Sequence, residues 1–233
     1  MKIDIERERV VCYELKTKNQ TLLEALNDIK TTQDASLAYS SGCRSGVCGS
    51  CAVRVNGREV LACSYHIQDG DLVEPLNNAP VIRDLVVDMD RAYSFNAKAK
   101  AWQSGIVDDV LLSHEDEKLN EVQSDCILCG SCYSACPVYA QNSEFLGPFS
   151  LTRVWRYVSD KREQNKKEKI DNIQTNGVWD CTLCNACTLV CPQGISSKAD
   201  IEKLRARSAM FGYIDPNFAS FGFGGGFDGS PTF

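Results

Sequence analysis

Two copies of one cysteine ladder, both in the second half of the chain, restrict the fold more than any other feature of the sequence. The first runs Cys126, Cys129, Cys132, Cys136 with Pro137 following, and the second runs Cys181, Cys184, Cys187, Cys191 with Pro192 following, so both read C-x₂-C-x₂-C-x₃-C-P. A tight C-x₂-C-x₂-C loop presents three thiolates to one iron–sulfur cubane. The proline then turns the chain away, and the fourth thiolate reaches the neighbouring cluster, which is why such runs come in pairs. The spacing therefore assigns Cys126, Cys129, Cys132 and Cys191 to a first [4Fe–4S] cluster, and Cys181, Cys184, Cys187 and Cys136 to a second. Cys132 and Cys136 serve different clusters yet are only four residues apart, at most about 14 Å at full extension, so the clusters are near neighbours. Structural zinc is the alternative for paired C-x₂-C units. The x₃-C-P ending, present twice, favours the cubanes.

At 233 residues the chain is long enough for two domains with cores of their own. Its 25 basic and 31 acidic residues are mixed along the whole length, which gives no nucleic-acid face. Thirteen cysteines suit a secreted disulfide scaffold only if a leader is present, and the start, Met1-Lys2-Ile3-Asp4-Ile5-Glu6-Arg7-Glu8-Arg9, has no apolar stretch. A cytosolic setting keeps thiols reduced, so clustered cysteines read as metal ligands. No run approaches the roughly 18 apolar residues that cross a bilayer, so membrane attachment is expected through a partner.

The first half carries a third cysteine motif. Residues 2–15 mix β-branched and charged residues and predict a hairpin or two short strands, with Cys12 expected as a small apolar core residue of a strand. Thr21 followed by Glu24 is a capping box, and Leu22, Leu26 and Ile29 recur at helical spacing, which predicts a helix over 22–30. Then comes Gly42-Cys43-Arg44-Ser45-Gly46-Val47-Cys48-Gly49-Ser50-Cys51, completed by Cys63. This is the plant-type [2Fe–2S] spacing, with ligands Cys43, Cys48, Cys51 and Cys63. Gly42, Gly46 and Gly49 let the backbone approach the cluster so that peptide N–H groups point at its sulfurs. Between the third and fourth ligands, 52–55 and 60–62 flank Asn56-Gly57, two strands joined by a type I′ turn that carries Cys63 back to the loop. Arg44 reads as a solvated loop arginine.

After this unit, 105–122 is expected as a connecting helix with a solvated acidic end around His114–Glu117. Pro148–Arg162 places Leu151, Val154, Trp155 and Val158 on one stripe of an amphipathic helix, and the charged run Lys161–Lys169 reads as a solvated helix end and loop. A further helix is expected over Ala199–Arg207. His66 and His114, lacking partners at a ligand spacing, read as surface residues. The stretch 218–233 alternates Phe with Gly and cannot bury a core of its own. Its Gly222-Phe223-Gly224 lacks the strand, the helix and the last glycine of a dinucleotide fingerprint. No catalytic constellation is present, so the chain is expected to carry single electrons and to leave substrate chemistry to others.

The expected architecture is α+β, with a plant-type ferredoxin (β-grasp) domain over 1–100, an α-helical domain of bacterial two-cluster ferredoxin type over 101–217, and a Gly/Phe-rich tail over 218–233. Cys43 through Cys51, Ala62-Cys63, Arg83-Asp84-Leu85-Val86-Val87-Asp88-Met89, Glu144-Phe145-Leu146-Gly147-Pro148 and the two Cys-Pro ladders, taken in order, resemble the iron–sulfur subunit of succinate dehydrogenase and fumarate reductase. The resemblance covers about residues 5–210. It implies a flavoprotein partner carrying FAD that interconverts succinate and fumarate, and electrons passing along the [2Fe–2S] cluster, the first ladder and then the second. It also implies a membrane-associated partner that handles quinone, with the chain peripheral on the cytoplasmic face.

One departure from that family is chemically telling. Most members have a non-ligand residue where this chain has Cys184 and hold a [3Fe–4S] cluster there; the complete ladder implies a second [4Fe–4S] cluster, as in the non-classical branch, with [3Fe–4S] the alternative. The usual tryptophan after the first Cys-Pro is replaced in the region of Ala140 and Gln141, and Thr182 stands where the family often has histidine. Both losses touch the family's quinone pocket and favour a cysteine-rich, haem-free anchor. The rival reading is a ferredoxin-like module of another flavin dehydrogenase or of a heterodisulfide-reductase-type complex.

Overall fold

Alternation of inward Ile3 and Ile5 with outward polar residues makes the first strand, β1 (Lys2–Glu6), which pairs antiparallel with β2 (Val10–Glu14) in the register Ile3↔Tyr13. The computed structural model describes residues 1–16, 19–105 and 109–219. Cys12 does not enter the core: it projects from β2 on the opposite side to the buried Tyr13 and is exposed. Its neighbours Val11 and Tyr13 take the inner positions of a two-residue period, so the intervening cysteine must face outward.

Helix α1 (Leu22–Thr32) starts where the capping box places it. The Thr21 side chain accepts from the Glu24 N–H at 3.3 Å, and the Glu24 carboxylate accepts from the Thr21 N–H at 2.8 Å. Leu22, Leu23, Ala25, Leu26 and Ile29 form its buried face. The following hairpin, β3 (Ala52–Val55) and β4 (Arg58–Leu61), turns at Asn56 and Gly57, whose φ angles of 50° and 79° are both left-handed, as a type I′ turn requires. Strand β5 (Asp71–Glu74) completes a five-stranded sheet in the order β2-β1-β5-β3-β4, parallel only between β1 and β5. A mixed sheet with one crossover helix in its core is the β-grasp arrangement.

A two-stranded ribbon, β6 (Val81–Arg83) with β7 (Val86–Val87), leads out of this unit. At its turn Asp84 accepts from Arg7 Nε at 2.7 Å and from the Ala38 N–H at 2.7 Å, tying three distant segments together. Helix α2 (Asp90–Lys98) follows, and its Ala92 and Phe95 are buried with the second half of the chain, not with the sheet. The cores thus divide between Val87 and Met89. The division expected at residue 100 falls after this helix, because its apolar face packs on the rings of Tyr133 and Tyr139.

The second half is helical: α3 (His114–Lys118), α4 (Glu121–Ser124), α5 (Ser131–Ser134), α6 (Pro137–Gln141), α7 (Pro148–Val158), α8 (Lys166–Asp171), α9 (Ala186–Leu189), α10 (Ser197–Met210) and α11 (Pro216–Ala219). Leu151, Val154, Trp155 and Val158 of α7 are buried as the stripe predicts, and α10 is longer than the stretch 199–207 expected of it. The connecting helix over 105–122 is not continuous. Ser113 caps α3 with a reciprocal bond to Asp116, so the helix begins there, and residues 106–108 lie outside the described set. Most of the Gly/Phe-rich tail also lies outside it, as 220–233 are not described.

The acidic and basic runs read as solvated are not wholly so. Asp116 is buried and its carboxylate, held down to about 2 chiefly by the Lys161 ammonium, pairs with Lys161 at 2.6 Å. Lys169 and Glu163 have fully buried side chains 3.4 Å apart. The Lys169 ammonium also donates to the carbonyls of Lys100 and Trp102 and to Ser104 Oγ, at 3.0, 2.5 and 2.9 Å. Local charge density carries no sign of this, since the acceptors lie on the connector, more than 60 residues away.

Candidate electron-transfer sites

The first cysteine loop folds back on itself through peptide N–H groups aimed at sulfur. Ser45 and Val47 donate to Cys43 Sγ at 3.4 Å each, Cys43 donates to Cys48 Sγ at 3.3 Å, and Gly46 donates to Cys63 Sγ at 3.3 Å. The Ser45 bond, with the Val47 bond behind it, pulls the Cys43 thiol down to about 6, so this loop favours thiolates. Cys51, on the buried side of the loop, is pushed up by burial to about 11. A Cβ at Gly42 would stand 2.8 Å from Ser50 Oγ and 3.0 Å from Cys48 Sγ, so the loop closes only on glycine there. Arg44 is exposed, with φ of 60°.

The two ladders repeat one backbone pattern that their spacing did not reveal. Two residues after the first cysteine of each, Leu128 and Leu183 adopt left-handed φ angles of 53° and 56°; two residues further, Gly130 and Asn185 do so again at 84° and 71° and begin α5 and α9. Leucine in that region is strained, and both instances bend the chain so that the cysteine sulfurs face one volume. Cys126, Cys129, Cys132 and Cys191 line one cavity, walled by Leu128, Phe149 and Ile195. Cys136, Cys181, Cys184 and Cys187 line another, walled by Phe145, Leu183 and Ile201.

Each cavity gathers four cysteines. Among the described residues no set of three or more His, Cys, Asp or Glu side chains closes around a single metal ion. Burial pushes the thiols of Cys126, Cys129, Cys132, Cys136 and Cys181 above their ordinary value, and that of Cys187 to about 12. Cysteines in such surroundings ionise when a bound metal cation compensates the charge. Peptide N–H groups of Tyr139, Leu183 and Ile195 stand 3.4 Å from Cys136, Cys181 and Cys191 Sγ, the contacts that stabilise sulfur charge.

The three cysteine sets are joined by contacts between residues far apart in sequence. Gly49 lies against the first ladder: a Cβ there would stand 2.7 Å from Cys129 Cβ and 3.0 Å from Ile127 O. Its glycine thus serves the approach of the two loops and not only that of backbone to cluster. Gln193, two residues after Cys191, donates to Gly46 O at 3.1 Å. On the far side, Asn78 donates to Tyr133 O and Ser134 O at 3.0 and 2.9 Å, and Ser134 Oγ donates to Glu59 at 2.7 Å. Arg205 of α10 braces the second ladder by donating to the carbonyls of Val178, Trp179 and Cys181. None of Gln193, Asn78 or Arg205 carries a local signal. His66 and His114 are exposed, Ala140 and Gln141 lie on the surface of α6, and Thr182 lines the second cavity.

Residues 2–94 match the family described as 2Fe-2S iron-sulfur cluster binding domain, and 122–195 match that described as 4Fe-4S dicluster domain. The chain is 37% identical over 211 residues to the 8-methylmenaquinol:fumarate reductase iron-sulfur subunit of Wolinella succinogenes, covering 83% of this chain and 65% of that one, just under two thirds of its length. It is 36% identical over 218 residues to the fumarate reductase iron-sulfur subunit of Haemophilus influenzae, covering 84% and 85%. A chain of the Mycobacterium smegmatis Sdh1 complex in the apo form superposes with a TM-score of 0.81 over 92% of this chain and 98% of its own, at 24% identity, a likeness of fold.

Proposed function

We propose, from the premise that this chain belongs to the family of fumarate reductase and succinate dehydrogenase iron–sulfur subunits, that it is the electron wire of such a complex. Its residues bind a [2Fe–2S] cluster through Cys43, Cys48, Cys51 and Cys63, a [4Fe–4S] cluster through Cys126, Cys129, Cys132 and Cys191, and a second [4Fe–4S] cluster through Cys136, Cys181, Cys184 and Cys187. The clusters, when bound, supply one-electron storage. The protein's own part is to hold them in line, to exclude water from the two inner cavities, and to direct N–H dipoles at the sulfurs.

The observation that carries this reading is the continuity of the three sites: the first cysteine loop touches Cys129 at Gly49, and Cys132 and Cys136 of one ladder open into different cavities. A flavoprotein carrying FAD stands at one end and performs the succinate–fumarate chemistry. A membrane-associated, quinone-handling subunit stands at the other. Among the described residues no helix is long and apolar enough to cross a membrane; the reading has that partner attach the chain to the cytoplasmic face. Cys184 completing its ladder, with Thr182 in place of the family's usual histidine, supports the non-classical branch and a cysteine-rich, haem-free anchor.

The test is isolation of the native complex and assay with succinate and fumarate. Co-purification of a flavoprotein with turnover, and no turnover by this chain alone, is the expected result. Co-purification of a thiol–disulfide enzyme without fumarate turnover would overturn it.

A further inference from the structure

The most unusual titratable group of the helical domain lies behind the first-ladder cavity. Asp200 is 1% exposed, in the first turn of α10. Its Oδ1 accepts from Gln123 Nε2 at 2.8 Å and lies 3.8 Å from Lys203 Nζ; its Oδ2 has no hydrogen-bond partner. The Thr152 hydroxyl, also buried, faces the carboxylate closely enough to favour its ionised form, but forms no hydrogen bond of ordinary geometry with it. Two sides of this pocket are the wall of the cavity itself. Thr152 lines it from α7, and Ser197, one turn before Asp200 on α10, lines it too. Three residues of helix rise about 4.5 Å, so only that turn separates the carboxylate from the cavity. Gln123 leads directly into Cys126.

The geometry points to Asp200 as a proton-binding site coupled to the first-ladder cluster: as that cluster gains one electron, the Asp200 carboxylate gains one proton from solvent. This rests on the ligand assignment proposed above. A buried carboxylate with one full hydrogen bond and one unpartnered oxygen is poorly compensated as an anion, and burial raises it to about 6. A further negative charge arriving in the adjacent cavity raises it again, which by linkage makes electron and proton uptake mutually favourable. The electron comes through the wire. The proton has a route at Lys203, whose half-exposed ammonium is the nearest charge.

Burial is the one influence that favours the protonated form of Asp200, and it outweighs the groups that face it. Gln123 and Thr152 are neutral. On α7, Arg153 directs its charge to Cys126, and on α8 Lys166 faces Arg207, while α9 contributes only Cys187 as a titratable group. Gln123, then Lys203 and Thr152, favour the anion, but burial outweighs all three, and at 3.8 Å Lys203 is outside hydrogen-bond reach.

The test is a redox titration of the complex, followed by electron paramagnetic resonance between pH 5.5 and 8.5, for the wild type and Asp200→Asn. In the wild type the first-ladder midpoint should fall with rising pH by up to tenfold in equilibrium per pH unit, about 59 mV for one electron. In Asp200→Asn it should be higher and flat, with the [2Fe–2S] midpoint unchanged in both. Reduction of the wild type should also produce an infrared band of a protonated carboxylic acid, absent from the variant. If Asp200→Asn does not assemble, Gln123→Leu removes the carboxylate's donor and should move the pH-dependent window upward. A flat wild-type midpoint, a slope that survives in Asp200→Asn, or a window unmoved in Gln123→Leu overturns the proposal. Wild-type complex without a first-ladder signal overturns the ligand assignment instead, and this inference with it.

Discussion

Gly49 of the [2Fe–2S] loop and Cys129 of the first ladder are in direct contact, so close that a Cβ on the glycine would stand 2.7 Å from the cysteine Cβ. The glycine also has φ of +74°. Gly49→Ala therefore meets both a left-handed strain of about 1–2 kcal/mol and overpacking of about 1–3 kcal/mol, relieved by pushing the loops apart. The expected outcome is an intact [2Fe–2S] spectrum, slower reduction of the first-ladder cluster in rapid-freeze experiments, and weaker magnetic coupling between the two. Unchanged coupling would show that this contact does not set their spacing.

The partition of the cores between Val87 and Met89 places the end of the independent ferredoxin unit near residue 88. Fragment 1–88 should assemble a two-iron cluster anaerobically, and Cys63→Ala should prevent it. Extension to residue 100 adds the apolar face of α2 without its partners Tyr133 and Tyr139, so that longer fragment should be the less soluble of the two. A fragment 1–88 that stays apo would mean that Gln193, or the hold of Tyr133 and Ser134 on Asn78, is needed to shape the loop.

Cys184 lines the second cavity with Cys136, Cys181 and Cys187. Cys184→Ala should lower iron by one per chain at constant sulfide, since water is a poor substitute for thiolate, and should create a three-iron resonance in the oxidised, anaerobic protein. That resonance in anaerobic wild type would remove Cys184 from the proposed ligands and overturn the proposal of the non-classical branch.

Lys169→Met leaves the Glu163 carboxylate buried with its Ser104 and Asn165 donors but without its cation. Breaking a buried pair on one side costs about 3–5 kcal/mol, which calorimetry of the loaded protein should read as a lowered melting temperature. A change below 1 kcal/mol would show that the three remaining donors compensate the anion.

Asp200 gives a stability signature of opposite sign to most carboxylates. Its folded value of about 6 lies above the ordinary 3.8, so the folded state holds the proton where the unfolded chain has released it. Stability from this group is therefore full below 3.8 and declines as pH rises through about 6. The advantage of Asp200→Asn over wild type should grow by about 1–1.5 kcal/mol from pH 5 to pH 8, at roughly 1.4 kcal/mol per unit. An advantage independent of pH would contradict a buried, raised carboxyl.

What the sequence determined by itself is everything fixed by short-range covalent spacing. The three local cysteine runs, the capping box at Thr21, the Asn56-Gly57 turn and the stripe of α7 all follow from residues within a few positions of one another, where backbone geometry leaves little choice. What the tertiary structure decided is how those pieces meet: Gly49 against Cys129, Gln193 on Gly46, Lys169 drawn from a charged run into burial, Cys12 turned outward, α2 assigned to the helical core, and Asp200 left with an unpartnered oxygen behind a cavity. Each depends on partners many tens of residues distant. A side chain's chemistry is legible in sequence, but its dielectric surroundings and its neighbours are set only when separate elements pack.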